Sequence, residues 1–179
     1  IFDPQGKLAA EAEKAGTEYD NNVFEQDFLV KDPQLWTMDA PNLYTSVSRI
    51  YEGNTLKDED KSIFGIRTVK VEGDKGFFRT LEIIPDKGMF LNGEPTKFKG
   101  VCNHHDLGPL GGIANEAGIR RQVRILKDMG CNAIRTSHNT ASKVLIKVCN
   151  ELGVLVIEEF FDGWDVSKNG NTNDFSAYF

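Results

Sequence analysis

The densest group of chemically versatile side chains lies in residues 97–106, which read KFKGVCNHHD. The segment begins as a predicted strand and runs directly into Asn103, His104, His105 and Asp106. Histidine and aspartate side chains bind hydroxyl groups, ligate metal ions or transfer protons. Such a cluster at the carboxyl end of a strand is typical of α/β barrels and open α/β sheets. We therefore expect a functional site at this strand end.

Polar residues also follow the next two predicted strands. They are Arg135, Ser137, His138 and Asn139 after the second strand, and Glu158, Glu159, Asp162 and Trp164 after the third. All three histidines of the chain lie in the first two groups. In a βα repeat the carboxyl ends of the strands share one face, so the three groups are expected to converge.

The individual residues leave several roles open. His104 and Asp106 are two positions apart and would share a face of an extended segment, with His105 pointing away. The pair could serve as metal ligands, as a hydrogen-bonded structural pair or as ligands of sugar hydroxyls. Arg135 keeps its charge and needs an acidic partner, and it either orients the floor of the site or contacts substrate directly. Trp164 is either a stacking platform for a sugar or a lid on the core.

The neighbouring glutamates Glu158 and Glu159 are not a catalytic pair. Adjacent strand residues face opposite sides of a sheet, whereas a retaining glycosidase needs two carboxyl groups about 5–5.5 Å apart. One of the two is expected to face the barrel interior and the other the helices.

The second half of the chain predicts a βαβαβ unit with parallel neighbouring strands. Strands are predicted over residues 98–103, 131–136 and 154–159, and helices over 115–129 and 142–152. The first helix carries an apolar stripe of Ile119, Val123, Leu126 and Met129, and Gly130 follows it. The last strand is a nearly continuous apolar run, as in buried parallel sheets.

Residues 1–85 read as a β-rich domain. Strands are predicted over 23–30, 43–51 and 63–71, with an exposed turn at 57–61, and a hairpin with an Asn92-Gly93 turn follows. Only four or five strands are visible, whereas an immunoglobulin-like sandwich has about seven. The first strands are therefore expected upstream of Ile1.

Composition excludes several classes of partner. The net charge of −6 argues against nucleic acid or an anionic membrane surface, and no apolar run approaches the roughly 18 residues of a membrane span. No signal peptide is visible, and the start at Ile1 indicates an excised or processed chain; no compartment is assigned. The three cysteines show no paired spacing and are expected to be buried free thiols.

Four runs of the sequence resemble glycoside hydrolase family 2, the β-galactosidase and β-glucuronidase group. They are FGIRTVKV (64–71), GMFLNGEPTKFKGVCNHHDLGPLG (88–111), MGCNAIRTSHN (129–139) and LGVLVIEEFFDGW (152–164). The first is similar to the last strand of the family's immunoglobulin-like domain, and the others to the first three barrel strands. The resemblance implies a partial immunoglobulin-like β-sandwich over 1–85 and, over 86–179, about three βα units of a (β/α)8 TIM barrel.

The resemblance also implies a function and a site. It indicates a retaining exo-β-glycosidase, with β-galactosidase favoured by the HHDLG motif and a β-linked carbohydrate as the partner. The family's sugar subsite maps to His104, Arg135 and His138, with Asp106 and Trp164 as additional candidates. No cofactor is expected, and the family's magnesium motif is not matched around Asp162, so no metal site is expected. Thr140-Ala141 stands where family members commonly have proline.

One departure from the family is decisive for activity. The acid/base glutamate of the family follows an Asn-Glu motif near the fourth barrel strand, whereas Asn115-Glu116 and Asn150-Glu151 fall on or beside predicted helices. The 179-residue chain is therefore expected not to hydrolyse glycosides by itself, and its open barrel strands predict self-association.

Two other hypotheses compete with the glycosidase fragment. One is a non-catalytic carbohydrate-binding or interaction module. The other is a metal-dependent hydrolase that uses His104, His105, Asp106 and His138, although no H-E-x-x-H or comparable spacing supports it.

Overall fold

The computed structural model describes residues 1–15, 25–71 and 88–160, and the chain divides into two compact units, Ile1–Thr96 and Lys97–Phe179. In chain order the described elements are β1 Tyr44–Glu52, β2 Thr55–Phe64, β3 Val69–Val71, β4 Met89–Leu91, β5 Glu94–Thr96, β6 Gly100–Asn103, a 3₁₀ turn Gly108–Leu110, α1 Glu116–Asp128, β7 Ala133–Thr136, α2 Lys143–Leu152 and β8 Leu155–Ile157. The predicted strand over 23–30 begins outside the described residues, and its described part, 25–30, is not a strand.

In the first unit β1 and β2 form a long antiparallel hairpin, which confirms the strand predicted over 43–51. The exposed turn predicted at residues 57–61 is wrong, because this charged segment lies inside β2. Its charges are matched across the hairpin, where Arg49 Nε donates to Glu59 Oε2 at 2.8 Å. Cross-strand ion pairs thus let a strongly charged segment stay extended on a solvated hairpin.

The strand predicted over 63–71 is interrupted. β2 ends at Phe64, and β3 belongs to a separate sheet. The break coincides with Gly65, where an added Cβ would lie 2.8 Å from the Cβ of the buried Trp36. The Trp36 N–H donates to the Ile66 carbonyl at 2.8 Å. After β2 the chain therefore stops pairing with β1 and packs against the tryptophan.

The second sheet is the short antiparallel order β3-β4-β5. Its β4–β5 hairpin turns at Asn92-Gly93, both with positive φ, which confirms the predicted Asn-Gly turn. The Asn92 side chain also accepts from the Thr68 N–H at 3.0 Å and donates to the Trp36 carbonyl at 3.0 Å. One asparagine therefore joins this hairpin to the segment around Trp36.

The second unit contains the predicted βαβαβ arrangement. β6, β7 and β8 form a parallel sheet in that order, with α1 and α2 as the crossover helices. Asn115 caps α1 by accepting from the Gly118 N–H at 2.9 Å, and Ser142 caps α2 by accepting from the Leu145 N–H. Gly100 lets β6 approach β7 closely, because a Cβ there would lie 2.0 Å from the Ala133 oxygen.

The core of this unit lies between the two helices and one face of the sheet. It consists of Ile119, Val123, Ile134, Leu145, Val148, Cys149 and Val154. Met129, predicted on the apolar stripe of α1, is instead 71% exposed, because it is the C-cap residue and lies beyond the last turn that packs on the sheet.

The cysteines are free, as predicted, but they are not all buried. Cys149 is buried in α2, Cys131 is half-buried, and Cys102 is exposed. Cys102 pairs in register with Arg135, which pairs with Ile157, so these three side chains share the sheet face opposite the helices. Among the residues that the structure describes, no helix is long and apolar enough to cross a membrane.

Candidate functional site

The candidate site begins on the sheet face that the helices leave uncovered. Arg135 lies in β7 with Cys102 of β6 as its neighbour, and the chain after β8 brings Glu159 to the same face. Nε of Arg135 donates to Oε1 of Glu159 at 2.7 Å, and Nη2 donates to the same oxygen. The acidic partner that Arg135 was predicted to need is therefore Glu159.

His138 and His104 complete the cluster. The His138 Nδ1 lies 3.0 Å from Oε2 of Glu159, so the two oxygens of one carboxylate serve the arginine and the histidine separately. The His138 ring meets the His104 ring edge to face, with 5.4 Å between centroids. Residues from all three strand ends thus converge, as the βα repeat predicts.

The position of Glu159 is also fixed through its backbone. Its N–H donates to Oγ1 of Thr136, the last residue of β7, at 3.0 Å, and Thr136 is fully buried. The peptide bond between Ser137 and His138 is cis. The buried threonine therefore anchors the carboxylate directly beside the two residues that it binds.

The electrostatics of the cluster favour a charged carboxylate. Burial raises the pKa of the Glu159 carboxyl, but hydrogen bonds from Arg135 and His138 outweigh burial, so the pKa lies below its ordinary value. The pKa of Arg135 is raised by hydrogen bonds to Cys102 and Glu159. Glu159 is thus an anionic hydrogen-bond acceptor at neutral pH.

Cys102 borders the cluster. Nη1 of Arg135 lies 3.3 Å from the Cys102 Sγ, and this hydrogen bond lowers the pKa of the thiol. The arginine side chain is consequently held from two sides, by a carboxylate and by a sulfur atom.

Asp106 makes its hydrogen bonds within its own loop and not with the cluster. Its Oδ1 accepts from the Gly108 N–H at 2.6 Å, and its own N–H donates to the His104 carbonyl at 2.8 Å. The segment therefore turns at His105, and the prediction that His104 and Asp106 share a face of extended chain is wrong. The aspartate stabilises the loop that carries His104.

A cavity of about 210 Å³ lies between the loops that precede α1 and α2. Its lining includes Asn103, His104, His105, Asp106, Gln122 and Ala141. Asn103 Nδ2 donates to Gln122 Oε1 at 3.2 Å, which ties the end of β6 to α1. His104 therefore lines the cavity and also contacts the His138 ring.

The β7–α2 loop is attached to the segment after β8. The Ala141 N–H donates to Glu158 Oε1 at 3.0 Å, and Thr140 Oγ1 donates to the Phe160 carbonyl at 3.3 Å. A proline at position 141 would lack the N–H that Glu158 binds. Glu158 and Glu159 therefore bind different partners.

Glu159 is the residue whose role the sequence reasoning missed. Arg135 pairs with Ile157 in the sheet, and Glu159 lies two positions further on, so strand alternation places it on the same side. That spacing, with the need of Arg135 for an acid, is the signal that identifies it. Trp164 lies outside the described residues. Within 1–15, 25–71 and 88–160 no group of three or more His, Cys, Asp or Glu residues could hold a metal ion.

Two family models match the chain. Residues 1–67 match glycosyl hydrolases family 2, and residues 83–175 match the TIM barrel domain of glycosyl hydrolases family 2. The two matches agree with the predicted β-sandwich followed by the start of a barrel.

Curated relatives and solved structures agree with both models. The β-galactosidase BoGH2A of Bacteroides ovatus is 39% identical over all of this chain, which covers 20% of that protein. A putative β-glucuronidase of Formosa agariphila is 42% identical over 75% of this chain and 12% of its own length. The crystal structure of a glycosyl hydrolase family 2 member from Bacteroides cellulosilyticus matches 99% of this chain and 21% of its own, with 34% identity and a TM-score of 0.78. The chain therefore spans between 12% and 21% of the length of these relatives.

Proposed function

The chain belongs to glycosyl hydrolase family 2, and we propose that it forms part of a retaining β-glycosidase that hydrolyses terminal β-galactosides. The observation that carries this proposal is the convergence of His104, Arg135 and His138 at the carboxyl ends of the adjacent parallel strands β6 and β7. In α/β barrels this is the end at which substrates bind.

In the proposed role the cluster forms one wall of the sugar subsite. Sugar hydroxyls both donate and accept hydrogen bonds, and His104 and His138 present ring nitrogens that can match them. Asp106 acts by holding the loop of His104. Trp164 stays a proposed stacking partner for the sugar ring.

The chemistry itself requires carboxyl groups other than those in the cluster. Glu159 is bound by Arg135 and His138, and Glu158 by the Ala141 N–H. The two carboxylates bind different partners, whereas retaining hydrolysis needs a facing pair of carboxyl groups. We therefore expect the 179-residue chain to bind sugar but not to hydrolyse it.

The charge of the cluster supports a neutral galactoside over a glucuronide. A glucuronide carries a carboxylate that needs a cationic partner. The Arg135 guanidinium is already paired with Glu159, whose carboxylate has a lowered pKa and is charged. A second carboxylate beside it would be repelled.

Sugar titration tests the proposal. Methyl β-galactoside should shift NMR signals of the purified chain, methyl β-glucuronide should bind more weakly, and His104→Ala should weaken galactoside binding by roughly tenfold. Arg121→Ala is the control, because Arg121 is exposed on α1 outside the lining of the cavity and its loss should leave affinity unchanged.

Two kinds of result would contradict the proposal. The first concerns affinity: the two sugars bind equally well, or neither of them binds. The other is hydrolysis of a chromogenic β-galactoside by the chain at an enzyme-like rate, which would refute the expected lack of activity.

A further inference from the structure

Each oxygen of the Glu159 carboxylate has its own hydrogen-bond partner, an arginine on one side and a histidine on the other. Oε1 accepts from Nε and Nη2 of Arg135, and Oε2 faces Nδ1 of His138 at 3.0 Å. Its N–H is fixed by Thr136. The side chain therefore has little freedom to turn, and it imposes its acceptor character on both partners.

That acceptor character determines where the proton of His138 lies. A carboxylate accepts hydrogen bonds only, so the imidazole nitrogen that faces it must carry a hydrogen. A neutral His138 then has its proton on Nδ1, and Nε2 is left as an acceptor. The tautomer follows from the contact itself.

We propose that Glu159 is the positioning residue of this cluster and holds His138 in the tautomer with Nδ1 protonated, so that Nε2 accepts a hydrogen bond from a ligand hydroxyl. This inference rests on the proposed function in one respect only, namely that the ligand hydroxyl belongs to a sugar. The effect on His138 itself requires no ligand.

The partners of Glu159 predict an unusual effect of Glu159→Gln. Arg135 has only donors, so the carbonyl oxygen of the new amide must stay on the arginine side. The NH₂ group then faces His138 and donates to Nδ1. The proton of His138 consequently moves to Nε2, and the nitrogen offered to the ligand changes from an acceptor to a donor.

Long-range proton–nitrogen NMR of chain containing isotope-labelled histidine tests the proposal without sugar. At about pH 8, above the ordinary histidine pKa, wild-type His138 should carry its proton on Nδ1, and Glu159→Gln should switch the major tautomer to Nε2. Glu158→Gln is the matched control: it changes the adjacent carboxylate, which binds Ala141, and should leave His138 unchanged.

The outcomes separate this proposal from the proposed function. A proton on Nε2 in the wild type, or a charged ring at this pH, would refute the positioning role even if Glu159→Gln failed to fold. An unchanged tautomer in a folded Glu159→Gln variant would refute it as well. Sugar titration of the same samples reports separately on carbohydrate binding, so either idea can fail alone.

Discussion

At the scale of single residues, Arg135 is the centre of the charge distribution. Its guanidinium joins the Glu159 carboxylate to the Cys102 thiol, and each contact changes a pKa in the direction that favours charge. The carboxylate in turn sets the hydrogen-bonding character of His138. A small number of contacts therefore fixes the charge and the hydrogen-bonding character of this group of ionisable side chains.

The cysteines should differ sharply in reactivity. Cys102 is exposed and its pKa is lowered by the Arg135 guanidinium, whereas burial raises the pKa of Cys149 to about 12. Because the thiolate is the nucleophile, a thiol reagent at neutral pH should modify Cys102 first and Cys149 only after unfolding. Peptide mapping over time measures the order. A fast phase that persists in Cys102→Ser would contradict this assignment.

At the scale of elements, the two faces of the parallel sheet have different roles: one belongs to the core and the other to the candidate site. One face packs against α1 and α2, and the other presents Cys102 and Arg135. Strand alternation produces this division around Ile134 and Arg135, since successive residues of β7 point to opposite faces. Ile134 is fully buried, while its neighbour Arg135 forms the site.

The two faces should respond differently to truncation. Ile134→Ala should lower the free energy of unfolding by ~2–5 kcal/mol, because it leaves a cavity in the helix-facing core. Ile157→Ala is the matched control on the open face, where the side chain is 39% exposed, and should cost less than half as much. Urea unfolding of both variants gives the comparison. Equal losses would show that the open face is as closely packed as the core.

At the scale of the molecule, the chain divides into two compact units, and it matches the sandwich and barrel models of glycosyl hydrolase family 2. Within the described part of the chain, β6 and β8 each pair with β7 alone, so each has one unpaired edge. Unpaired parallel strands with apolar side chains are templates for another chain. Ile157 and Phe160 lie near one such edge and are both exposed.

Self-association through these edges is the expected consequence. The apparent mass in light scattering should rise with protein concentration, and Ile157→Lys should reduce the rise by placing a charge on the open face. Met129→Lys is the control, since Met129 is 71% exposed but lies at the end of α1. A constant monomer mass at high concentration would rule out the association.

Local rules within the sequence were sufficient for the order and type of the elements of the second unit. Apolar residues at a period of 3.6 identify the helices, with Gly130 after the first of them, and apolar runs identify the strands between them. The right-handed crossover then makes the strands parallel and places their polar ends together. For this reason the convergence of the histidine and arginine groups was predictable.

Tertiary structure decided the remaining features, because each depends on a partner distant in sequence. The charged segment of β2 is a strand since Arg49 pairs with Glu59, and the strand after it breaks where Gly65 meets Trp36. Asp106 leaves the cluster because the Gly108 N–H binds its carboxylate. Several acids could have balanced Arg135, and only the sheet register selects Glu159, since hydrogen bonding depends on distances that local sequence does not specify.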